Sequence, residues 1–384
     1  MDKIWLKSYM EGVPAEIDLN TYSSLADLFE QGIAKYRDKV AYVSMGIELT
    51  YADVDRLSRD FAAWLQSVVK LPKGARVALM MPNTLQYPVC MFGVLRAGYV
   101  VVNVNPLYTP RELEHQLKDS GADVIVIMEN FAATLEEVLD RTPVKHVVLT
   151  KMGDMLGGLK GGIVNFVVKY VKKLVPHYSL PKAVSLNAVL SKGAGAEFKK
   201  VEITQEDLAF LQYTGGTTGV SKGAMLTHRN IVGNVLQAYA WIKPAIAEGK
   251  ECIITALPLY HIFALTANCF TFFQIGAKNV LIANPRDIPG FVAEMGKHQF
   301  SVLTGVNTLF NALLNNEAFC ALDFSTLKVT LGGGMAVQKA VADKWMQVTG
   351  KPLVEAYGLT ETSPAATINP LNIKAYNGSI GLPI

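Results

Sequence analysis

The 384-residue chain is too long for one ordinary domain and long enough to bury a large core. Half of it is hydrophobic and 18% is charged, which excludes disorder, and a net charge of +3 leaves no electrostatic footprint for a nucleic-acid partner. Cys90, Cys252, Cys269 and Cys320 lie far apart with no metal-ligand or CxxC spacing, and the start MDKIWLKSYMEGVPAEIDLN carries no export signal, so reduced thiols in a cytoplasmic protein are expected.

In chain order, LTYADVDRLSRDFAAWLQ (49–66) reads as a strand edge running into an amphipathic helix. ARVALMM (75–81) is a strand closed by Pro82-Asn83, TLQYPVCMFGVLRAG (84–98) a helix stopped at Gly98, and YVVVNVNP (99–106) a β-branched strand. TPRELEHQLKDSG (109–121) predicts a helix with Thr109 as N-cap, Pro110 in the first turn and Gly121 as the stop. DVIVIM (123–128) and HVVLT (146–150) are short buried strands. Residues 151–200 change character, being rich in Gly, Lys and Pro with weak strand signals. Strands resume at LAFLQYT, ECIITALP, NVLIA, VLTGV, VTLGGG and PLVEAYG, with helices between them. Such alternation implies βαβ units, and the expected class is α/β: two lobes, each a mostly parallel sheet flanked by helices. The expected divisions are an N-terminal segment 1–35, a first lobe 36–198 and a second lobe 199–384. ALPLYHIFALTANCFTFFQIGA (256–277) is long enough and uncharged enough for a membrane span, but Pro258, His261, Asn268, Gln274 and its threonines make a loop feeding a buried helix the better reading.

YTGGTTGVSKG (213–223) follows a strand and precedes a helix that Thr227 could cap. Glycines let backbone N–H groups approach an anion, threonine hydroxyls add uncharged donors, and Lys222 adds a positive charge, a combination suited to wrapping a polyphosphate. It is not a Walker A loop, because Val220 and Ser221 separate Gly219 from Lys222. The alternative is an ordinary flexible turn.

YTGGTTGVSKGAMLTHRN resembles the phosphate-loop signature of the adenylate-forming superfamily, the acyl-CoA synthetases, luciferases and peptide-synthetase adenylation domains. LPLYHIFAL (257–265), GGGMAV (332–337), YGLTE (357–361) and GSIGLP (378–383) are similar to the superfamily's next blocks and stand in its order. AGYVVVNVNPLYTPRELEH fits an earlier block, and the detailed wording is most similar to bacterial long-chain fatty-acid:CoA ligases. The resemblance implies a ligase: a fatty-acid carboxylate and ATP give acyl-AMP and pyrophosphate, then coenzyme A gives acyl-CoA and AMP. Both nucleophiles belong to substrates, so catalysis is positioning plus charge stabilisation.

Carried over motif by motif, the resemblance assigns nucleotide binding to Thr214, Gly215, Gly216, Thr217, Thr218, Gly219, Lys222, Gly333, Gly334, Tyr357 and Gly358. Thr214 to Thr218 would hold the β- and γ-phosphates, Lys222 would stand at the loop tip, and Tyr357 would pack near adenine. Thr360 would bond the α-phosphate, Glu361 would bind Mg²⁺, and His261 would lie beside the reacting carboxylate. An apolar acyl tunnel is implied, with Gly305, Gly332, Gly334 and Ala336 as small residues that leave room for it. His115, His146, His177, His228 and His298 have no ligand spacing and read as structural. The superfamily continues with a ribose-binding Asp, a hinge and a small C-terminal domain bearing a catalytic Lys; none lies within 1–384, so a truncated form of low activity is expected. The rivals are a nucleotide- and fatty-acid-binding fragment without turnover and a ligase for a medium-chain or aromatic acid; a charged residue blocking the tunnel would favour the aromatic acid. Two partner readings remain. IVNFVVKYVKKLVPHY (163–178) reads as a basic amphipathic helix suited to peripheral contact with a membrane, or as a helix packed on its own domain. The N-terminal segment is expected to pair subunits in a homodimer, or to strap its own lobe.

Overall fold

A computed structural model describes residues 2–215 and 220–384. Its strands in chain order are β1 (Val40–Ser44), β2 (Ile47–Thr50), β3 (Arg76–Met80), β4 (Val100–Asn103), β5 (Val124–Met128) and β6 (His146–Thr150). There follow β7 (Val184–Ser185), β8 (Leu208–Thr214), β9 (Lys222–Thr227), β10 (Cys252–Thr255) and β11 (Lys278–Leu281). The last are β12 (Val302–Gly305), β13 (Val329–Gly332), β14 (Leu353–Gly358), β15 (Ala365–Ile368) and β16 (Leu382–Pro383). They build one sheet in the order β7-β6-β5-β3-β4-β8-β9 and another in the order β16-β15-β14-β13-β12-β10-β11-β1-β2. Both are parallel except at edges, where β8/β9, β1/β2, β14/β15 and β15/β16 run antiparallel.

Local signals hold where they were strongest. Thr109 caps the helix Pro110–Ser120 in a reciprocal capping box with Glu112, and Gly121 ends it in the left-handed conformation at φ 62°. Thr50 and Asp53 form the same box for the helix Tyr51–Ala63. Residues 262–274 are short buried helical turns, the loop-and-buried-helix arrangement. Among the described residues no helix is long and apolar enough to cross a membrane.

The chain does not change sheets at 198/199. The hairpin β1–β2 pairs with β11 in the nine-stranded sheet, and β8–β9 extend the seven-stranded one through β4. Hydrophobic runs cannot reveal this exchange, because a parallel strand buried on both faces looks alike in either sheet. The two sheets also share one core. Phe29, Phe92 and Phe273 pack with ring centroids 4.2 to 5.3 Å apart, and Tyr51 lies 4.5 Å from Phe273. Those rings come from helices on both sides of the junction, so the lobes are joined by fully buried aromatic surface. Elsewhere helices approach backbone to backbone: a Cβ on Gly193 would stand 1.8 Å from the Asp60 carbonyl.

The helix Leu25–Tyr36 is tied into this core by His228, whose Nδ1 accepts from the Leu25 amide at 3.0 Å. The imidazole is buried, and desolvation lowers its pKa to about 4. Folding therefore favours the neutral ring. Between about pH 6.5 and 4 the unfolded chain binds the extra proton, so the stability this histidine contributes is complete above 6.5 and lost as pH falls towards 4. His228→Gln should flatten that part of the curve. Chemical denaturation of both proteins from pH 7 to 4.5 checks it; parallel curves would contradict the assignment.

Candidate functional site

Strand β8 runs buried through Phe210, Leu211 and Gln212 and surfaces at Thr214 and Gly215. Antiparallel pairing with β9 places Thr214 opposite Lys222. The Ser221 hydroxyl donates to the Thr214 carbonyl at 2.7 Å, and the Ser221 carbonyl lies 2.8 Å from His115 Nε2. The base of the loop is thereby clamped. Gly216, Thr217, Thr218 and Gly219 fall outside the described residues. Strand β9, paired antiparallel with β8, comes before the capped helix His228–Ile242; the strand-loop-helix expectation missed that strand. Lys222 is accordingly not at the loop tip but is an exposed first residue of β9.

His261 caps the short helical turn that follows residues 257–260, its Nδ1 accepting from the Phe263 amide at 3.3 Å. That bond leaves the ring proton on Nε2, and desolvation lowers the pKa, so the ring is a neutral donor near pH 7. Beyond it, Gly333 lets the Phe263 ring approach, since a Cβ would stand 3.0 Å away, and Gly334 adopts φ 77°. The Val337 amide donates to Glu355 Oε1 at 2.9 Å and fixes the end of that glycine turn. The Leu359 amide donates to the Thr362 hydroxyl at 2.9 Å, which shapes the Thr360–Thr362 turn.

One cavity of about 780 Å³ gathers these parts. Thr214, Gly215, His261, Gly333, Gly334, Tyr357, Gly358, Thr360 and Glu361 all line it. Gly305, Gly332 and Ala336 do not. A Cβ on Gly305 would strike the Phe310 ring, and one on Gly332 would strike Leu353 and Val337, so these glycines serve core packing. Ala336 is exposed outside the cavity. The room is made instead by Ala238 and Ile242 on the helix His228–Ile242, with Phe272, Val302, Val329, Leu331 and Ile368 opposite. Asn234, Ala238 and Ile242 recur every four residues, a helical face that sequence could have suggested. Glu361 is the single carboxylate in the lining, and no cluster of metal-ligating side chains occurs among the described residues. An exposed lone carboxylate fits Mg²⁺, which is typically held by one or two carboxylates plus substrate phosphates.

A crevice between strands of two α/β sheets, with Thr214, Gly215, Thr360 and Glu361 among its polar lining and an apolar wall beside them, suits an enzyme that activates acids with a nucleotide. The chain belongs to the family of AMP-binding enzymes, whose model matches residues 29–384. It is 59% identical over 384 residues to a long-chain-fatty-acid–CoA ligase of Yersinia pestis, covering all of this chain and 68% of that protein. A long-chain-fatty-acid–CoA ligase of Bacillus subtilis is 33% identical over 386 residues, covering 99% of this chain and 67% of the relative. Among solved structures, a long-chain-fatty-acid–CoA ligase from Archaeoglobus fulgidus superposes with a TM-score of 0.79 at 24% identity, covering 98% of this chain and 71% of that one.

The geometry separates the two ends of the cavity in their response to substitution. Thr214→Val and Glu361→Gln should each weaken Mg-ATP binding by roughly tenfold, the scale of one lost charged contact. Fatty-acid binding should change little. In Glu361→Gln the dependence of ATP affinity on Mg²⁺ should shrink as well. Calorimetry with and without Mg²⁺ reads all three.

Proposed function

We propose that this chain carries the acyl-activating site of a long-chain fatty acid:CoA ligase. The observation that carries the reading is the single cavity joining the phosphate-loop end and the YGLTE turn to an apolar wall without a charged side chain. An acyl chain gains about 0.8 kcal/mol per buried CH₂ on such a wall, and no charge stands there to select a compact polar acid. The fatty-acid carboxylate attacks the α-phosphorus of ATP, pyrophosphate leaves, and acyl-AMP remains. The thiol of coenzyme A then attacks the acyl carbonyl and AMP departs. His261 offers a neutral Nε2–H to the carboxylate, which orients it without pairing away the charge that makes it nucleophilic. The Thr360 hydroxyl bonds the α-phosphate, and Tyr357 packs beside adenine. Mg²⁺, held by Glu361 and the phosphates, would supply charge neutralisation there.

The partner readings draw on two surfaces. Tyr9 packs edge-on against Trp241 at 5.0 Å, and its hydroxyl donates to the Pro383 carbonyl at 2.5 Å, so this part of the N-terminal segment straps its own chain. Ile4, 71% exposed, is a large apolar group that a second subunit could cover. The helix Gly158–Phe166 and its wider-wound continuation Val167–Val171 leave Leu159, Ile163, Phe166, Tyr170 and Val171 in solvent, and Leu174 just beyond them is exposed too. Lys160, Lys169, Lys172 and Lys173 are exposed beside them, and residues 155–196 hold no acid. Asn165, taken as part of the polar face, turns inward and accepts from the Gly153 amide at 2.7 Å. Exposed apolar groups among lysines suit peripheral contact with an anionic membrane.

Two outcomes are expected. Formation of acyl-AMP, followed by mass spectrometry with acids of increasing length, should favour long chains. Ala238→Phe should shift the preference to shorter ones, since two CH₂ groups denied burial cost about 1.6 kcal/mol, roughly fifteenfold. Indifference to chain length in the unaltered protein would overturn the long-chain reading. For the membrane contact, co-sedimentation with anionic vesicles should be lost when Lys169, Lys172 and Lys173 become Glu; binding that survives those changes would count against it.

A further inference from the structure

The segment 257–261 belongs to no strand or helix, yet it carries His261 into the cavity. Its backbone is held mainly by side chains of the seven-stranded sheet and the helix beside it. Asn83 Nδ2 donates to the carbonyls of Thr255 and Leu257 at 3.0 and 2.9 Å, and its Oδ1 accepts from the Leu259 amide at 2.8 Å. The Tyr87 hydroxyl lies 2.9 Å from the Leu259 carbonyl and 2.8 Å from Asn103 Oδ1, two acceptors sharing one proton. Asn103 Nδ2 donates to Gln212 Oε1 at 3.0 Å, and Gln212 Nε2 donates to the Tyr260 carbonyl at 2.6 Å. All four side chains are at least 96% buried.

Of these four, Gln212 alone lies on the strand that leads into the phosphate loop. It stands two residues before Thr214 and one hydrogen bond from the carbonyl that precedes His261. It does not line the cavity and touches no substrate position. We infer that Gln212 is a positioning residue: it sets the distance between the nucleotide end of the site at Thr214 and the carboxylate end at His261. The inference rests on the acyl-activation reading above. The role needs a donor and an acceptor on one side chain. Glutamate keeps the acceptor towards Asn103 but turns a carboxylate oxygen on the Tyr260 carbonyl. Methionine keeps the length and loses both bonds. A group with this duty matters little to ATP or to a fatty acid taken singly, because each uses one end of the site. It matters to a ligand that spans both ends, and to the in-line approach of carboxylate to phosphorus, where small misplacements carry large rate costs.

The test measures binding of three ligands to the unaltered chain, Gln212→Glu and Gln212→Met: Mg-ATP, a long-chain fatty acid, and a non-hydrolysable long-chain acyl-sulfamoyl adenosine that bridges the two ends. Gln86→Glu is the control, the same change at a buried amide on the helix Gln86–Arg96 whose side chain bonds Thr150 and the Lys151 carbonyl, the latter at 2.8 Å, and not residues 257–261. In both Gln212 variants the bridging ligand should lose about tenfold or more in affinity, the scale of one buried hydrogen bond, while either single ligand changes by less than about twofold. Gln86→Glu should lower thermal stability without altering the ratio of bridging to single-ligand affinity. Parallel weakening of all three ligands in the Gln212 variants, or unchanged bridging affinity, would overturn the positioning role. Failure of the unaltered chain to hold the bridging ligand would instead overturn the acyl-activation reading, and this role with it.

Discussion

A buried carbonyl or amide left without a partner costs about 1–3 kcal/mol, and the chain leaving β10 must enter the protein interior before it can become a helix again. Asn83, Tyr87 and Gln212 meet that need from outside the segment's own sheet. The consequence reaches beyond the local bonds. Because the partners sit just beyond β3, on the helix Gln86–Arg96 and on β8, the loop can be satisfied only when the two sheets are correctly joined. A polar backbone requirement thus imposes the junction, and the junction makes the cavity.

Apolar packing reinforces the same geometry. The Phe29, Phe92 and Phe273 cluster bridges helices of both sides. A second buried polar net, in which Asn268 bonds Thr255 and Thr304 and Asn279 bonds the Asn268 carbonyl, lies under residues 265–270. With every amide in it partnered, such a net selects one arrangement of strands and helical turns over near alternatives. The cavity is the place where this otherwise dense interior stops. Asn234, Ala238 and Ile242 on the helix His228–Ile242 line it together with residues of β12, β13 and β15.

Chemistry divides along the cavity for a physical reason. At its mouth are groups that a polyphosphate needs, hydroxyls, glycine backbone and one carboxylate, all able to stay hydrated until a ligand displaces water. Its remaining wall is largely branched and aromatic side chains. His261 stands at the boundary, and partial desolvation keeps it neutral there. A neutral donor can orient a carboxylate at the meeting point of the two environments without forming an ion pair that would blunt its attack.

Much of this was legible in the residues. The strand and helix alternation, the caps at Thr109 and Thr227, and the ordered motifs ending in Thr360 and Glu361 are encoded over short windows, where local sterics and hydrogen bonding decide the outcome. Those motifs gather glycines, hydroxyls and charged residues in short windows, so they stand out in the sequence. The acyl wall does not. Gly305, Gly332 and Ala336 look like vacant space in a string of letters, but whether a missing side chain leaves a cavity depends on what fills it, and Phe310, Leu353 and Val337 fill two of the three. The exchange of β1–β2 and β8–β9 between sheets, the clamp on residues 257–261 and the link through Gln212 join residues as distant in the chain as Tyr42 and Asn279. Residue types and local patterns decided which segments become strands, helices and phosphate loops. Long-range packing alone decided which strands share a sheet, where the interior stays open and which buried amides bond residues 257–261, because contacts between distant segments are written in neither segment by itself.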